Sequence, residues 1–265
     1  MSQFKVNSIT DKSGYCGPVI SGVSTNNSTG CMIIPAGPTS YRGNRGRGIF
    51  THGYEPNSVI NIDVINIAST GNATDWGDQL GNGSAFAGGA SNNNRGVLTG
   101  GFEGSPSNGR VRTIQGLTMP TNGDIYYFGD LIYTVQQMTG ASDEVRGIFS
   151  SGYSYPLAPT TAAFQQVFYE LSLASGGRAT GFGDIPTNAS CRSMNAIQNQ
   201  TRGFFCGGEG TYLSPSVQNR KITEITFATR GSALTFGELS AESKAGASME
   251  SHTRAVVVLG GDATS

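Results

Sequence analysis

R-G-I-F-T-H-G-Y, Arg47 to Tyr54, opens a stretch that runs through V-I-N-I-D-V-I-N-I (Val59 to Ile67) and closes on D-W-G-D (Asp75 to Asp78). The chain then returns to both anchors. R-G-V-L-T-G-G-F at Arg95 leads to Y-F-G-D ending at Asp130, and R-G-I-F-S-S-G-Y at Arg146 leads to G-F-G-D ending at Asp184. R-G-F-F-C-G-G at Arg202 leads to T-F-G-E ending at Glu238, and a fifth opening, R-A-V-V-V-L-G-G at Arg254, has no closing partner. Successive arginines are 48, 51, 56 and 52 residues apart. From the closing aromatic (Trp76, Phe128, Phe182, Phe236) to the next arginine the gaps are 19, 18, 20 and 18; from arginine to aromatic they stretch from 29 to 36. A fixed period near 50 residues marks a blade or solenoid array.

Working outward, each repeat reads as four short strands. The first is small and polar: Ser84 to Ser91, Val135 to Ser142, Arg192 to Gln198 and Lys244 to Glu250. Small side chains suit strands crowded about an axis. The second is R-G-I-F and its equivalents, stopped by glycine six residues after the arginine. The third alternates, with Val167, Tyr169, Leu171 and Leu173 on one face and Phe168, Glu170 and Ser172 on the other, the period of a strand. The fourth ends at the aromatic-Gly-acid motif. Four strands per unit describe a propeller blade better than a β-helix coil, whose repeats are shorter.

Composition agrees. Glycine is 39 of 265 residues and charged residues are 13%, a balance suited to strands joined by many turns rather than to charged surface helices. The net charge of −1 gives no electrostatic footprint for nucleic acid or an anionic membrane. Tyr41 to Gly48, Y-R-G-N-R-G-R-G, has arginines but no interleaved aromatics, so an RNA-binding reading is disfavoured. The N-terminus lacks an apolar h-region and no run reaches membrane-spanning length. Synthesis in a cytoplasm is therefore expected, with final placement by assembly. Cys16, Cys31, Cys191 and Cys206 share no C-x-x-C spacing and read as unpaired thiols rather than a zinc site. No metal or cofactor is expected.

The ends set the blade count. Lys244 to Gly261 supplies two strands of a last unit, and residues 1–46 carry three β-like runs: Phe4 to Ile9, Pro18 to Val23 and Cys31 to Pro35. The first two runs could complete the last unit, placing Val6 or Ile9 beside 254–261, and the third could supply the first unit's missing strand. The expected architecture is an all-β, five-bladed kelch-like propeller, closed by N- and C-terminal strands. Residues 1–46 form an N-terminal β segment that closes the ring or acts as a docking arm. Residues 47–265 hold repeats starting near 47, 95, 146, 202 and 254. The structural alternative is an open five-unit array.

With its units laid out, the chain resembles the kelch-like repeat proteins of tailed phages, especially virion structural proteins of marine and cyanobacterial phages. R-G-I-F-T-H-G-Y, V-I-N-I-D-V-I-N-I-A-S-T-G-N-A-T-D-W-G-D and the lead-in from Gly17 to Gly43 carry the resemblance. The chain departs from it at Ala255, where glycine should follow arginine, and at Glu238, which replaces aspartate. The resemblance implies a structural or host-recognition component of a particle, present in multiple copies. Its partners would be other virion proteins and a host-surface glycan or protein. It transfers no catalytic residue.

Asp78, Asp130, Asp184 and Glu238 recur with the repeat, whereas a catalytic pair needs to exist only once. They are expected to accept hydrogen bonds from turn amides or to pair with Arg47, Arg95, Arg146 and Arg202. Trp76, Phe128, Phe182 and Phe236 are expected to be core, with the three phenylalanines buried between blades. His52 and His252 accompany no nucleophile motif. What does not repeat is the segment between second and third strands, whose Tyr54, Asn57, Phe102, Tyr153, Tyr155 and Tyr212 are the candidate binding residues. Contact with a neighbouring subunit is the other reading of those loops. The function expected is a non-enzymatic virion component of a tail, fibre, collar or capsid surface. A carbohydrate-active propeller enzyme or an intracellular kelch-like adaptor are the alternatives.

Overall fold

A computed structural model describes residues 24–26, 31–33, 47–51, 53, 59–67, 69–92, 94–103, 109–121, 123–154, 166–210, 218–250 and 254–261. Every regular element among them is a strand. A hairpin, β1 (Ser24–Asn26) and β2 (Cys31–Ile33), comes first. Unit 1 follows as β3 (Arg47–Thr51), β4 (Asn61–Asn66) and β5 (Thr74–Asp78). Unit 2 is β6 (Gly88–Ser91), β7 (Arg95–Thr99), β8 (Val111–Thr118) and β9 (Tyr126–Gln136). Unit 3 is β10 (Gly140–Ser142), β11 (Arg146–Phe149), β13 (Val167–Ser172) and β14 (Thr180–Asp184), with β12 (Tyr153–Ser154) crossing back to pair with the end of β9. Unit 4 is β15 (Asn195–Gln198), β16 (Arg202–Cys206), β17 (Asn219–Thr226) and β18 (Leu234–Ser243). The last pair is β19 (Ala247–Glu250) and β20 (Ala255–Val258). Each unit is an antiparallel meander in chain order; in units 3 and 4 the first strand lies at one edge and the closing strand at the other, and in unit 2 β12 flanks the closing strand.

The alternation read from the sequence buries both faces of the middle sheets. On β13, Tyr169 and Leu171 enter a core shared with Val97, Ile114 and Leu131 of unit 2. Phe168 points the other way, into a core with Phe205, Ile225 and Phe227 of unit 4. A third core joins Ile62, Val64 and Trp76 of unit 1 to Leu117 and Ile125 of unit 2. The hydrophobic interior is thus a series of layers between successive sheets. No single sheet could bury its faces alone.

The first strands lie side by side, β6 against β10, β10 against β15 and β15 against β19. Their small residues allow polar stitching across the gap. Ser142 Oγ donates to the Ser91 carbonyl at 2.8 Å and Ser248 Oγ to the Ala196 carbonyl at 2.8 Å. These strands are shorter than the sequence suggests. The residue nine before each opening arginine, Phe86, Gln137, Ser193 or Ala245, has φ between 50° and 60°, a left-handed turn that L residues adopt reluctantly. Backbone bonds hold that turn: Gln137 N–H donates to Phe86 O (2.7 Å), Ser193 N–H to Gln137 O (3.0 Å) and Ala245 N–H to Ser193 O (2.9 Å).

One sequence expectation changes here and another falls outside what the structure describes. Cys31–Ile33 pairs with Ser24–Asn26, not with β3, so among the described residues unit 1 has three strands. Val6 and Ile9, expected beside 254–261, lie outside the described residues.

Candidate functional site

The aromatic-Gly-acid motif is a joint between sheets. In every unit the ladder slips by one residue at the aromatic. Ile62 faces Gly77 while Asp63 faces Asp75, leaving Trp76 as a bulge, and Phe128, Phe182 and Phe236 are bulged in the same way. A bulge re-aims the extra side chain, and here it turns the ring onto the following unit. Trp76 packs with Leu117 and Ile125, Phe128 with Leu173 and Ala179, and Phe182 with Ile225, Phe227 and Ala233.

Backbone bonds lock each joint. Gly123, Gly177 and Gly231 N–H groups donate to the carbonyls of Trp76, Phe128 and Phe182 at 3.2, 2.9 and 3.2 Å. Two residues on, Ile125, Ala179 and Ala233 N–H groups donate to Asp78, Asp130 and Asp184 carbonyls at 3.0, 2.9 and 2.9 Å. The approach is so close that a Cβ on Gly77, Gly129 or Gly183 would collide with the carbonyl of Gly123, Gly177 or Gly231. Glycine is required there by contact between two backbones.

Phe236 breaks the pattern. It is 58% exposed, against the expectation of burial, because β19–β20 has no described third and fourth strands whose connection could receive it. Phe128 is only partly buried, while Trp76 (3%) and Phe182 (4%) are core.

The expected pairing of acids with the repeated arginines is not found. Within unit 1, Arg47 lies opposite Asn66 and Asp78 opposite Asn61, so the two are five residues, about 17 Å, apart along the sheet. The same offset holds in units 2, 3 and 4. Arg47 instead donates to the Met119 and Pro120 carbonyls at 3.0 and 3.2 Å and covers the Trp76 ring at 5.4 Å. Arg95 donates to Leu173 O (3.1 Å) and Ala174 O and covers Phe128 at 5.3 Å. Arg146 lies 3.6 Å from Asp143 and 4.0 Å from Glu170, which also accepts from Arg230 of unit 4 at 2.8 Å. Arg202 pairs with Glu224 at 3.2 Å.

The acid positions find other partners, those of Asp78 and Asp184 through the backbone and in the following unit. Asp78 N–H donates to Asp124 Oδ1 (3.2 Å) and Asp184 N–H to Ser232 Oγ (3.4 Å). Asp130 lies 3.8 Å from Arg112. Glu238 accepts from Arg220 and Lys221 at 2.5 Å each, and those bonds hold its carboxyl below the ordinary carboxylate range.

Of the candidate binding residues, Tyr54, Asn57, Tyr155 and Tyr212 lie outside the described residues, as do His52 and His252. Phe102 exchanges backbone bonds with Ala85 at 2.7 and 3.0 Å. Tyr153 is half-buried between two guanidiniums, Arg110 at 4.4 Å and Arg192 at 4.9 Å from the ring centroid. Its ring packs cations of the chain itself. Arg192 then binds Glu209 at 2.9 Å, which binds Lys244 at 3.2 Å. Arg110, Tyr153, Arg192, Glu209 and Lys244 thus form a continuous polar row from unit 2 to the last pair. Sequence reading passed over its charged members, yet their places carry a signal. Glu209 stands where the earlier repeats have Tyr54, Phe102 and Tyr153, and Arg192 and Lys244 both stand ten residues before an arginine.

The thiols of Cys191 and Cys206 are buried, and burial pushes them up to about 11 and about 12, away from the thiolate form that nucleophilic chemistry needs. Among the described residues, no group of three or more His, Cys, Asp or Glu could hold a metal ion. No helix there is long and apolar enough to cross a membrane.

No protein-family model and no curated protein matches the chain. Among solved structures it is similar to one described as "Structure of YjhT", with a TM-score of 0.58 and 10% identity. The match covers 71% of this chain and 62% of that one, so the chain spans less than two thirds of its neighbour's length. At that identity the likeness concerns the fold alone, a series of antiparallel all-β units.

Proposed function

We propose that the protein is a non-enzymatic structural component of a tailed-phage virion, a five-bladed kelch-like propeller closed by strands from both termini. It would sit in a tail, fibre, collar or capsid surface for assembly and host-surface recognition. One observation supports the non-enzymatic reading most directly: the repeated motifs are occupied in holding sheets together. Arg47, Arg95, Arg146 and Arg202 serve carbonyls, rings or acids of their own chain, and the closing motifs of units 1 to 3 serve the next sheet. The variable segments after the second strands remain for recognition, since loops on a rigid scaffold carry binding. The virion assignment rests on the sequence resemblance.

Five blades are supported by four sheets with three shared cores between them and by a last pair, β19–β20, seated against unit 4. Mass spectrometry of purified particles from the source tests the assignment, with several copies per particle expected. Absence from particles would overturn it. So would turnover of a host polysaccharide by the purified protein that Asp130→Asn abolishes.

A further inference from the structure

We propose that the hollow beside the joint of units 2 and 3 binds a carboxylated sugar, one uronic-acid residue of a surface glycan. This goes beyond the reading above, which leaves recognition to the variable segments. It takes from that reading only the glycan as the ligand's source.

The three filled joints serve as controls for one another. The residue after each joint-filling glycine is Asp124, Arg178 or Ser232. At the joint of units 1 and 2, the Asp124 carboxylate accepts from the Asp78 N–H at 3.2 Å. At the joint of units 3 and 4, the Ser232 hydroxyl accepts from the Asp184 N–H at 3.4 Å. Asp130 holds the same register, facing Thr113 as Asp78 faces Asn61 and Asp184 faces Val167, so its N–H is aimed the same way. There it meets Arg178, whose guanidinium donates and cannot accept. An amide donor and a cation come together where the sister joints hold an acceptor, and an anion from outside would supply what is missing.

The space for it exists. A hollow of about 220 Å³ is lined by Arg112, Tyr127, Asp130, Gly177 and Arg178 among others. That is less than the roughly 300–1,000 Å³ of sites for drug-sized ligands, and suits a single sugar ring. Arg178 is exposed and has no hydrogen bond or ion pair among the described residues. Arg112 Nε stands 3.8 Å from Asp130 Oδ1, beyond hydrogen-bond reach, whereas the matching Arg220 of unit 4 is bonded to Glu238. Both guanidiniums therefore keep donors for a ligand. Tyr127, 60% exposed, stands where the other closing motifs have Asp75, Gly181 and Thr235. A bond with the Asp130 carboxylate pushes its phenol above the ordinary range, and its ring offers a face to the C–H side of a sugar.

Asp130 selects the class of anion. Its carboxylate repels a phosphate, which carries nearly two charges, but accepts hydrogen bonds from hydroxyls. A uronate brings one negative charge for Arg178 and the Asp130 N–H, hydroxyls for the Asp130 carboxylate and a ring for Tyr127.

Titration of the full-length protein with methyl β-D-glucuronide, followed by the Asp130 and Arg178 amide resonances, tests this. Saturable shifts are expected, with the neutral methyl β-D-glucoside and inorganic phosphate at least about tenfold weaker. Arg178→Ser gives this joint the residue of the next one; the site is exposed, so Tm should hold while glucuronide affinity falls at least about tenfold. Arg112→Gln, which installs the residue that unit 3 carries as Gln166, gives a second, independent reading in the same direction. The absence of saturable shifts overturns the proposal. So does equal affinity for the glucoside or for phosphate, or glucuronide binding that neither substitution weakens. Binding is read on isolated protein, so absence from particles would sink the virion assignment and leave this site standing.

Discussion

Single residues show how little of the joint chemistry is visible locally. Phe182 sits in a core with Ile225, Phe227 and Ala233, so Phe182→Ala is expected to cost about 3–5 kcal/mol in denaturant unfolding, through lost burial and a cavity. The Cys206 thiol is neutral in the fold, pushed up from 9.0 to about 12 by burial. A group raised on folding stabilises fully below its unfolded value and loses that contribution as pH rises toward the folded one. Stability should therefore fall between pH 9 and 12, and Cys206→Ala should flatten that fall. Alkylation at pH 8 should reach Cys191 and Cys206 only after unfolding. The aromatics and arginines were legible because they recur at fixed spacing. The left-handed turn at Phe86, Gln137, Ser193 and Ala245 was not, because four unlike side chains fill it and no glycine marks the place. The partners of Arg47 and Arg95 were equally hidden, since backbone carbonyls leave no mark in a sequence.

At the scale of the element, the strand order of units 2, 3 and 4 follows from alternation and turns alone, and the sequence announces it. What the pattern omits is the bulge, which needs the register of two strands to be seen. Cross-sheet anchoring also separates arginines that look equivalent. Arg95 bonds two carbonyls of unit 3 and covers Phe128, whereas Arg202 pairs with Glu224 from a side chain that is 44% exposed. Arg95→Ala should cost about 2 kcal/mol, and Arg202→Ala under about 1 kcal/mol. Chemical denaturation of the two variants compares them, and equal losses would contradict the anchoring role.

For the whole molecule, stability is a sum over layers in which each sheet meets its neighbours. Native-state hydrogen exchange should rank them accordingly. Amides of β13, between two cores, should exchange last, and those of β19 and β20 first. The backbone-to-backbone bonds at the joints also share a direction: their N–H groups come from the later unit and the receiving carbonyls from the earlier one. The two faces of a unit are therefore unlike, and two copies related by a twofold axis could not use them to bind each other. Such heterologous surfaces obey a rotation, and the rotation either returns to its origin as a ring or advances as a helix. Nothing in any one joint fixes how many units there are; that number belongs to the angle each joint imposes.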